Sequence, residues 1–222
     1  MSDLDLLLKK IIQHPYFQKT KDIIENNTCH SNESVYEHLL TTEKRAEKAA
    51  TGDFISDPQS KKLFLSWMDE EKFGLRQKNL SILAALTHDI GKIIIYKENA
   101  AVHSINEIQR DGTTFRLGHE YLGSTIVGKI FTDIGMSGEQ AEYIAVIIRL
   151  HGVLMFPQYD KTKSLSILIS EMKALGQGME KEILFNIYAD VFVCPMFQDW
   201  LRIIEKMFNE PEFYLKREYF VN

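Results

Sequence analysis

An imidazole and a carboxylate stand side by side at His88-Asp89, at the end of the apolar run Leu80-Ser-Ile-Leu-Ala-Ala-Leu-Thr. Where a helix leaves a core, neither group packs well, because a buried polar group without partners costs free energy. As a pair they suit a divalent cation. Four more candidate ligands, His38, His119, His151 and Asp190, are spread at wide intervals along the chain. Helical spacing puts Ala85, His88, Asp89 and Lys92 on one face at i, i+3, i+4 and i+7, so the Lys92 ammonium comes close to the His-Asp pair whether or not Gly91 ends the helix. His151 shares a face with Ile144, Ile147 and Ile148, and Asp190 shares one with Ile183, Ile187 and Val191. A carboxylate on such a face needs a cation, a set of donors or a metal.

Taken singly, each of these residues has an ordinary explanation. A histidine on an apolar face can be a hydrogen-bonded core residue, Asp190 can pair with an arginine or cap a turn, and His119 can open a helix beside Glu120. His14 before Pro15, and His103, read as structural. The weight lies in the combination. Imidazole with carboxylate, and no cysteine among the ligands, suits one or two ions of Mn, Fe, Ni, Co or Zn.

The elements that must position these groups are mostly helical. Leu4, Leu7, Leu8, Ile11 and Ile12 form one amphipathic face. Ser34-Val-Tyr-Glu37 is a capping box that starts a second helix. Helices are expected over 59–74, 76–90 (ending at Gly91), 118–134, 138–151, 160–175, 178–193 and 196–208. Ile105–Arg110 and Thr113–Leu117 read as a β-hairpin closed by a type I′ turn at Asp111-Gly112. With five prolines, no linker-like stretch and no repeat, the expectation is an all-α bundle with a small β-hairpin near 105–117. It is read as a single domain, with an N-terminal extension to about residue 28, a motif-bearing core over about 30–195 and a tail over 196–222.

The spacing H…HD…H…H…D, with HD inside Leu86-Thr-His-Asp-Ile-Gly-Lys92, resembles the HD superfamily of metal-dependent phosphohydrolases. His30-x4-Val35-x2-His38 resembles the segment that opens HD domains of the nucleotide phosphohydrolase and tRNA nucleotidyltransferase type. Gly118-His119-Glu120, followed by Leu122-Gly123, resembles the segment that supplies a further histidine. The resemblance implies that His38, His88, Asp89 and Asp190 hold a first metal. It also implies that His119 and His151 serve a second, with Asp89 bridging, that Lys92 contacts a substrate phosphate, and that His30 lies at the pocket mouth. Two departures narrow it. His151 is followed by Gly-Val-Leu-Met-Phe-Pro rather than the GYP-containing segment of the cyclic-di-GMP phosphodiesterase branch, and Lys92 stands where the mononucleotidase branch usually carries glutamate.

The expected activity is hydrolysis of a small, nucleotide-like phosphomonoester or phosphodiester. Asp89 and Lys92 would carry the chemistry, and two ions about 3.5–4 Å apart would share a bridging hydroxide. Two other outcomes fit the same resemblance: a mixed-valent di-iron oxygenase acting on a small molecule, or a regulatory domain that has lost catalysis. A net charge of −5 and a pI near 5.8 disfavour extended nucleic acid and anionic membranes. A small phosphorylated anion remains the fitting partner. Cys29 and Cys194 make neither a metal-ligand spacing nor a disulfide framework, so a reducing cytosol is the simplest expected setting. Arg110 and Arg116 could meet an anion, and Met155–Tyr159 could cover the pocket. The aromatic segment 208–222 can dock on the bundle or on a second copy of the chain.

Overall fold

The computed structural model describes residues 2–25, 29, 32–94, 107–110, 113–116, 118–152, 164–176, 178–192 and 194–215. Its elements are α1 (Asp3–Gln13), α2 (Pro15–Gln18), β1 (Ile24–Glu25), β2 (Glu33–Ser34), α3 (Val35–Ala49), α4 (Pro58–Asp69), β3 (Glu71–Lys72), β4 (Leu75–Arg76) and α5 (Gln77–Thr87). They continue with β5 (Glu107–Arg110), β6 (Thr113–Arg116), α6 (His119–Asp133), α7 (Gly138–Leu150), α8 (Leu165–Leu175), α9 (Glu180–Val191), α10 (Gln198–Phe208) and α11 (Pro211–Tyr214). The all-α architecture is as expected from the sequence. Each strand belongs to a two-stranded antiparallel pair, and no larger sheet occurs among the described residues.

Caps set several helix starts. Ser34 accepts a hydrogen bond from the Glu37 amide at 3.1 Å while Glu37 accepts one from the Ser34 amide at 3.0 Å, closing the box read from the sequence. Ser137 and Gln140 do the same for α7. From Ser34 onward the buried positions Val35, His38, Leu39, Thr42, Ala46 and Ala49 follow helical spacing, so the cap fixes which face of α3 turns inward. α5 is buried over nearly its whole length and packs against α3, α7 and α9. Buried apolar side chains from Leu8 to Phe213 form one contiguous cluster.

Three expectations are corrected. The helix expected over 59–74 stops at Asp69, and residues 71–76 form the β3–β4 hairpin, with Phe73 and Gly74 both at positive φ. Gly74 supplies one of the two positive-φ positions that a two-residue hairpin turn needs, and Phe73 takes the other. The helix expected to run to residue 90 ends as α5 at Thr87, and the chain then tightens through Ile90 N to Thr87 O (3.2 Å) and Lys92 N to Asp89 O (3.0 Å). Cys29 and Cys194, read from the sequence as giving no disulfide framework, are joined in a disulfide across 165 residues. Such a separation leaves no trace in sequence. The contact exists because the fold brings Cys29 beside Cys194, just past the end of α9.

β5 and β6 pair in the expected register, Arg110 opposite Thr113. The turn residues 111–112, the side chains of Arg110 and Arg116, and His30, His103 and Met155–Tyr159 lie outside the described residues. Of the aromatic tail, Phe208 and Phe213 are fully buried, and the Tyr214 hydroxyl donates to the Phe208 carbonyl at 2.8 Å. As far as Leu215, then, it docks on its own bundle. His14 is structural, its Nδ1 accepting the Tyr16 amide at 3.2 Å to cap α2.

The disulfide constrains the unfolded chain more than the folded one, and loss of such a link typically costs about 2–5 kcal/mol. For a chain of this size reduction should therefore lower the thermal midpoint by on the order of 10 °C. Melting curves with and without reductant, beside Cys29→Ser, check this. Two free thiols by mass and an unchanged midpoint would contradict it.

Candidate metal centre

Four helices and one tight turn converge on Asp89. His38 comes from the first turns of α3, His88 and Asp89 from the tight turn that follows α5, and His119 from the first residue of α6. His151 follows α7 directly, and Asp190 lies in the last turn of α9. All are buried or nearly so, with His88 fully enclosed.

The two oxygens of Asp89 face different partners. Oδ2 lies 3.3 Å from His88 Nε2 and 3.5 Å from His38 Nε2. Asp190 Oδ1 closes that side, 3.0 Å from His38 Nε2 and 3.4 Å from His88 Nε2. Oδ1 lies 3.0 Å from His119 Nε2 and 4.0 Å from His151 Nε2, and the two imidazole nitrogens are 3.4 Å apart. The result is two donor groups, His38-His88-Asp89 and Asp89-His119-His151, with Asp89 in both.

The rings are aimed from behind. His88 Nδ1 lies 2.9 Å from the Ala85 carbonyl, and His151 Nδ1 lies 2.5 Å from the Ile148 carbonyl. A carbonyl only accepts, so Nδ1 carries the hydrogen and Nε2 is the atom presented inward, the arrangement metal-binding histidines use. The same one-turn-back bond recurs because both histidines sit at helix C-termini, where carbonyls lack intrahelical partners. Arg45 adds a bond to the Asp190 carbonyl at 3.3 Å, steadying the end of α9.

Gly91 permits the approach of α6. A Cβ at Gly91 would lie 1.9 Å from the His119 carbonyl oxygen and 2.5 Å from the Gly123 amide nitrogen. The sequence suggested a helix terminator here; the structure shows a point of backbone contact, which lets His119 reach Asp89.

Each charge in the cluster shifts the protonation of its neighbours. Burial opposes protonation of His88, but Asp89 and Asp190 outweigh it and raise its pKa to about 10. Burial lowers His151 to about 4, assisted by repulsion from His119 and His88. Burial likewise opposes ionisation of Asp89, yet Lys92 and His88 hold its carboxyl well below the usual range. Without an ion, protons and the Lys92 ammonium balance the carboxylates. A divalent cation would take over that balance.

Nitrogen and carboxylate donors in buried, pre-aimed groups fit a borderline or hard divalent ion. The profile of the HD domain matches residues 35–176, more than half of the chain. The chain belongs to the HD-domain family. The matched span of this HD domain takes in His38, His88, Asp89, His119 and His151, while Asp190 lies beyond it and joins the cluster through its contacts with His38 and His88. A comparison with curated proteins finds no match.

Lys92 sits closer to the cluster than spacing alone required. Its ammonium is 2.6 Å from Asp89 Oδ2 and 2.8 Å from Glu25 Oε2. Glu25 was missed in the sequence because it lies outside every motif. Its one signal is structural: in the two-residue strand β1 the apolar Ile24 is 52% exposed while Glu25 is 6% exposed. That inverts what burial alone would choose. A shallow depression lined by Gly118, Glu120, Tyr121, Arg149 and Gly152 opens among residues that flank His119 and His151 in the chain. Among the described residues no helix is long and apolar enough to cross a membrane.

Proposed function

We propose that this HD domain is a metal-dependent phosphohydrolase that cleaves a small phosphomonoester or phosphodiester of nucleotide-like character, with His38, His88, Asp89 and Asp190 around one ion and Asp89, His119 and His151 around another. The observation that carries the reading is the division of labour at Asp89, whose two oxygens face two separate histidine pairs. Divalent ions, when bound, supply Lewis-acid activation of water and of a phosphoryl centre. The chain's own residues do the rest. The Nδ1 bonds to Ala85 and Ile148 fix the rings, burial keeps bulk water from the cluster, and the Lys92 ammonium places positive charge where a phosphoryl oxygen gathers negative charge. Arg149, on the rim of the depression, supplies a second cation suited to an anionic substrate. A cytoplasmic setting belongs to this reading, and there the Cys29–Cys194 bond would be exposed to reductants.

The test is an anaerobic screen of phosphoesters on Mn-loaded protein, followed across pH. Hydrolysis should continue without O₂, whereas turnover that requires O₂ would overturn the hydrolase reading in favour of an oxygenase. A pKa raised by carboxylates means that His88 holds its proton at neutral pH in the ion-free protein. Metal loading must release that proton, so affinity should rise as pH rises and fall as pH falls. A titration in which Mn binding releases no protons at pH 7 and is independent of pH would count against these histidines as ligands.

A further inference from the structure

Lys92 is the middle of a carboxylate–ammonium–carboxylate chain, with Glu25 Oε2 at 2.8 Å and Asp89 Oδ2 at 2.6 Å. Both carboxylates are buried, and Lys92 as a whole is 8% exposed. Glu25 reaches this position because β1 pairs with β2, Ile24 opposite Ser34 and Glu25 opposite Glu33, immediately before α3 brings in His38. The pairing turns a charged side chain inward and an isoleucine outward, at a cost in apolar burial. The Lys92 ammonium, 2.8 Å away, is a counter-charge for the carboxylate buried there.

The electrostatic consequence falls on Asp89. Oδ2 is the oxygen that faces His38 and His88, and it is also the one that Lys92 touches. An ammonium paired with Asp89 alone would neutralise that oxygen and compete with a cation for it. With Glu25 on its far side, the ammonium is shared, and the three groups together keep one net negative charge beside the donor nitrogens.

We propose that Glu25 is a positioning residue of the centre: by sharing the Lys92 ammonium with Asp89, it keeps Asp89 Oδ2 available to a divalent ion. The proposal rests on reading the His/Asp cluster as a metal centre, and its test separates the two. Mn(II) binding to the full-length chain is measured by calorimetry for the unaltered protein, Glu25→Gln, Lys92→Met and the double variant, each with a thermal melt, and for Glu25→Asp. Outer partners of metal ligands typically contribute roughly tenfold or more to affinity, so Glu25→Gln should weaken Mn(II) binding by about that factor. Lys92→Met should not weaken it. In the Lys92→Met background, the Glu25→Gln effect should largely vanish, because the ammonium through which it acts is gone. Glu25→Asp, which keeps the charge, should recover part of the loss. A purely structural role would weaken binding equally in both backgrounds, in step with the melting temperature, and would overturn the proposal. So would unchanged affinity in a folded Glu25→Gln protein. Failure of the unaltered chain to bind Mn(II) would instead sink the metal reading, and this proposal with it.

Discussion

Replacing Asp89 with alanine should empty the whole centre, whereas replacing His119 or His151 should empty only half of it. The asymmetry follows from geometry. Asp89 is the only residue common to the two donor groups found among the described residues, one oxygen 3.3 Å from His88 Nε2 and the other 3.0 Å from His119 Nε2. Elemental analysis of protein purified without a metal-affinity tag should find about two first-row ions per chain, since the two donor groups would each hold one. Asp89→Ala should retain none, and His151→Ala about one, as that group loses a nitrogen while the His38-His88-Asp190 side is untouched. Hydrolysis should fall by more than the roughly 10–100-fold that loss of an outer partner costs, because a ligand to both ions is removed. The variant also leaves Lys92 and His88 buried without their nearest counter-charge. Breaking a buried ion pair from one side costs about 3–5 kcal/mol, so Asp89→Asn, which keeps the shape, belongs beside it as a folding control. An Asp89→Ala protein that still binds two ions would remove the bridging role. One ion in the unaltered protein would instead make His119 and His151 partners of substrate.

How much of this was legible beforehand depends on the range of the interaction. Ser34 and Glu37 lie three residues apart, and their mutual capping is a local event that sequence states directly. His151 lies at the end of an apolar helical face, and periodicity alone points it inward. Of the six candidate ligands, His88, Asp89, His151 and Asp190 were legible for a related reason, since each lies on a largely apolar helical face, whereas His38 and His119 stood out only through their place in the H…HD…H…H…D pattern. Glu25 and the Cys29–Cys194 pair were not legible, because each is placed by a contact between distant segments that no local pattern encodes. The β3–β4 hairpin failed differently. There Gly74 was the one local turn former, and the bulky Phe73 beside it, which also takes positive φ, gave no sign of a two-residue hairpin turn. Asp190 shows both aspects. Its spacing was visible, but the match to the HD family ends at residue 176, and it is the 3.0 Å contact with His38 that brings it into the cluster.

The second large effect is expected from a single methyl group at Gly91. Its ideal Cβ would sit 1.9 Å from the His119 carbonyl oxygen and 2.5 Å from the Gly123 nitrogen. Both are backbone atoms of α6, so no rotamer change relieves the clash and the helix must move away. His119 is the first residue of that helix and touches Asp89 Oδ1 at 3.0 Å. A displacement large enough to admit the methyl would break that contact, while His38, His88 and Asp190, carried by α3, α5 and α9, would keep theirs. Gly91→Ala should therefore lower the metal content from about two ions to about one, and overpacking of this kind typically costs about 1–3 kcal/mol, with backbone clashes at the upper end or beyond. Gly128 on the same helix is the internal control, since a Cβ there meets nothing within 4 Å. Gly128→Ala should leave the metal content alone and stabilise the helix by about 1 kcal/mol or less. If Gly91→Ala kept both ions and the melting temperature of the unaltered chain, α6 would not rest on the turn after Asp89, and His119 would need another route to the centre. A joint loss of one ion and stability, confined to Gly91→Ala, would instead tie the second half of the centre to one backbone contact that only glycine permits.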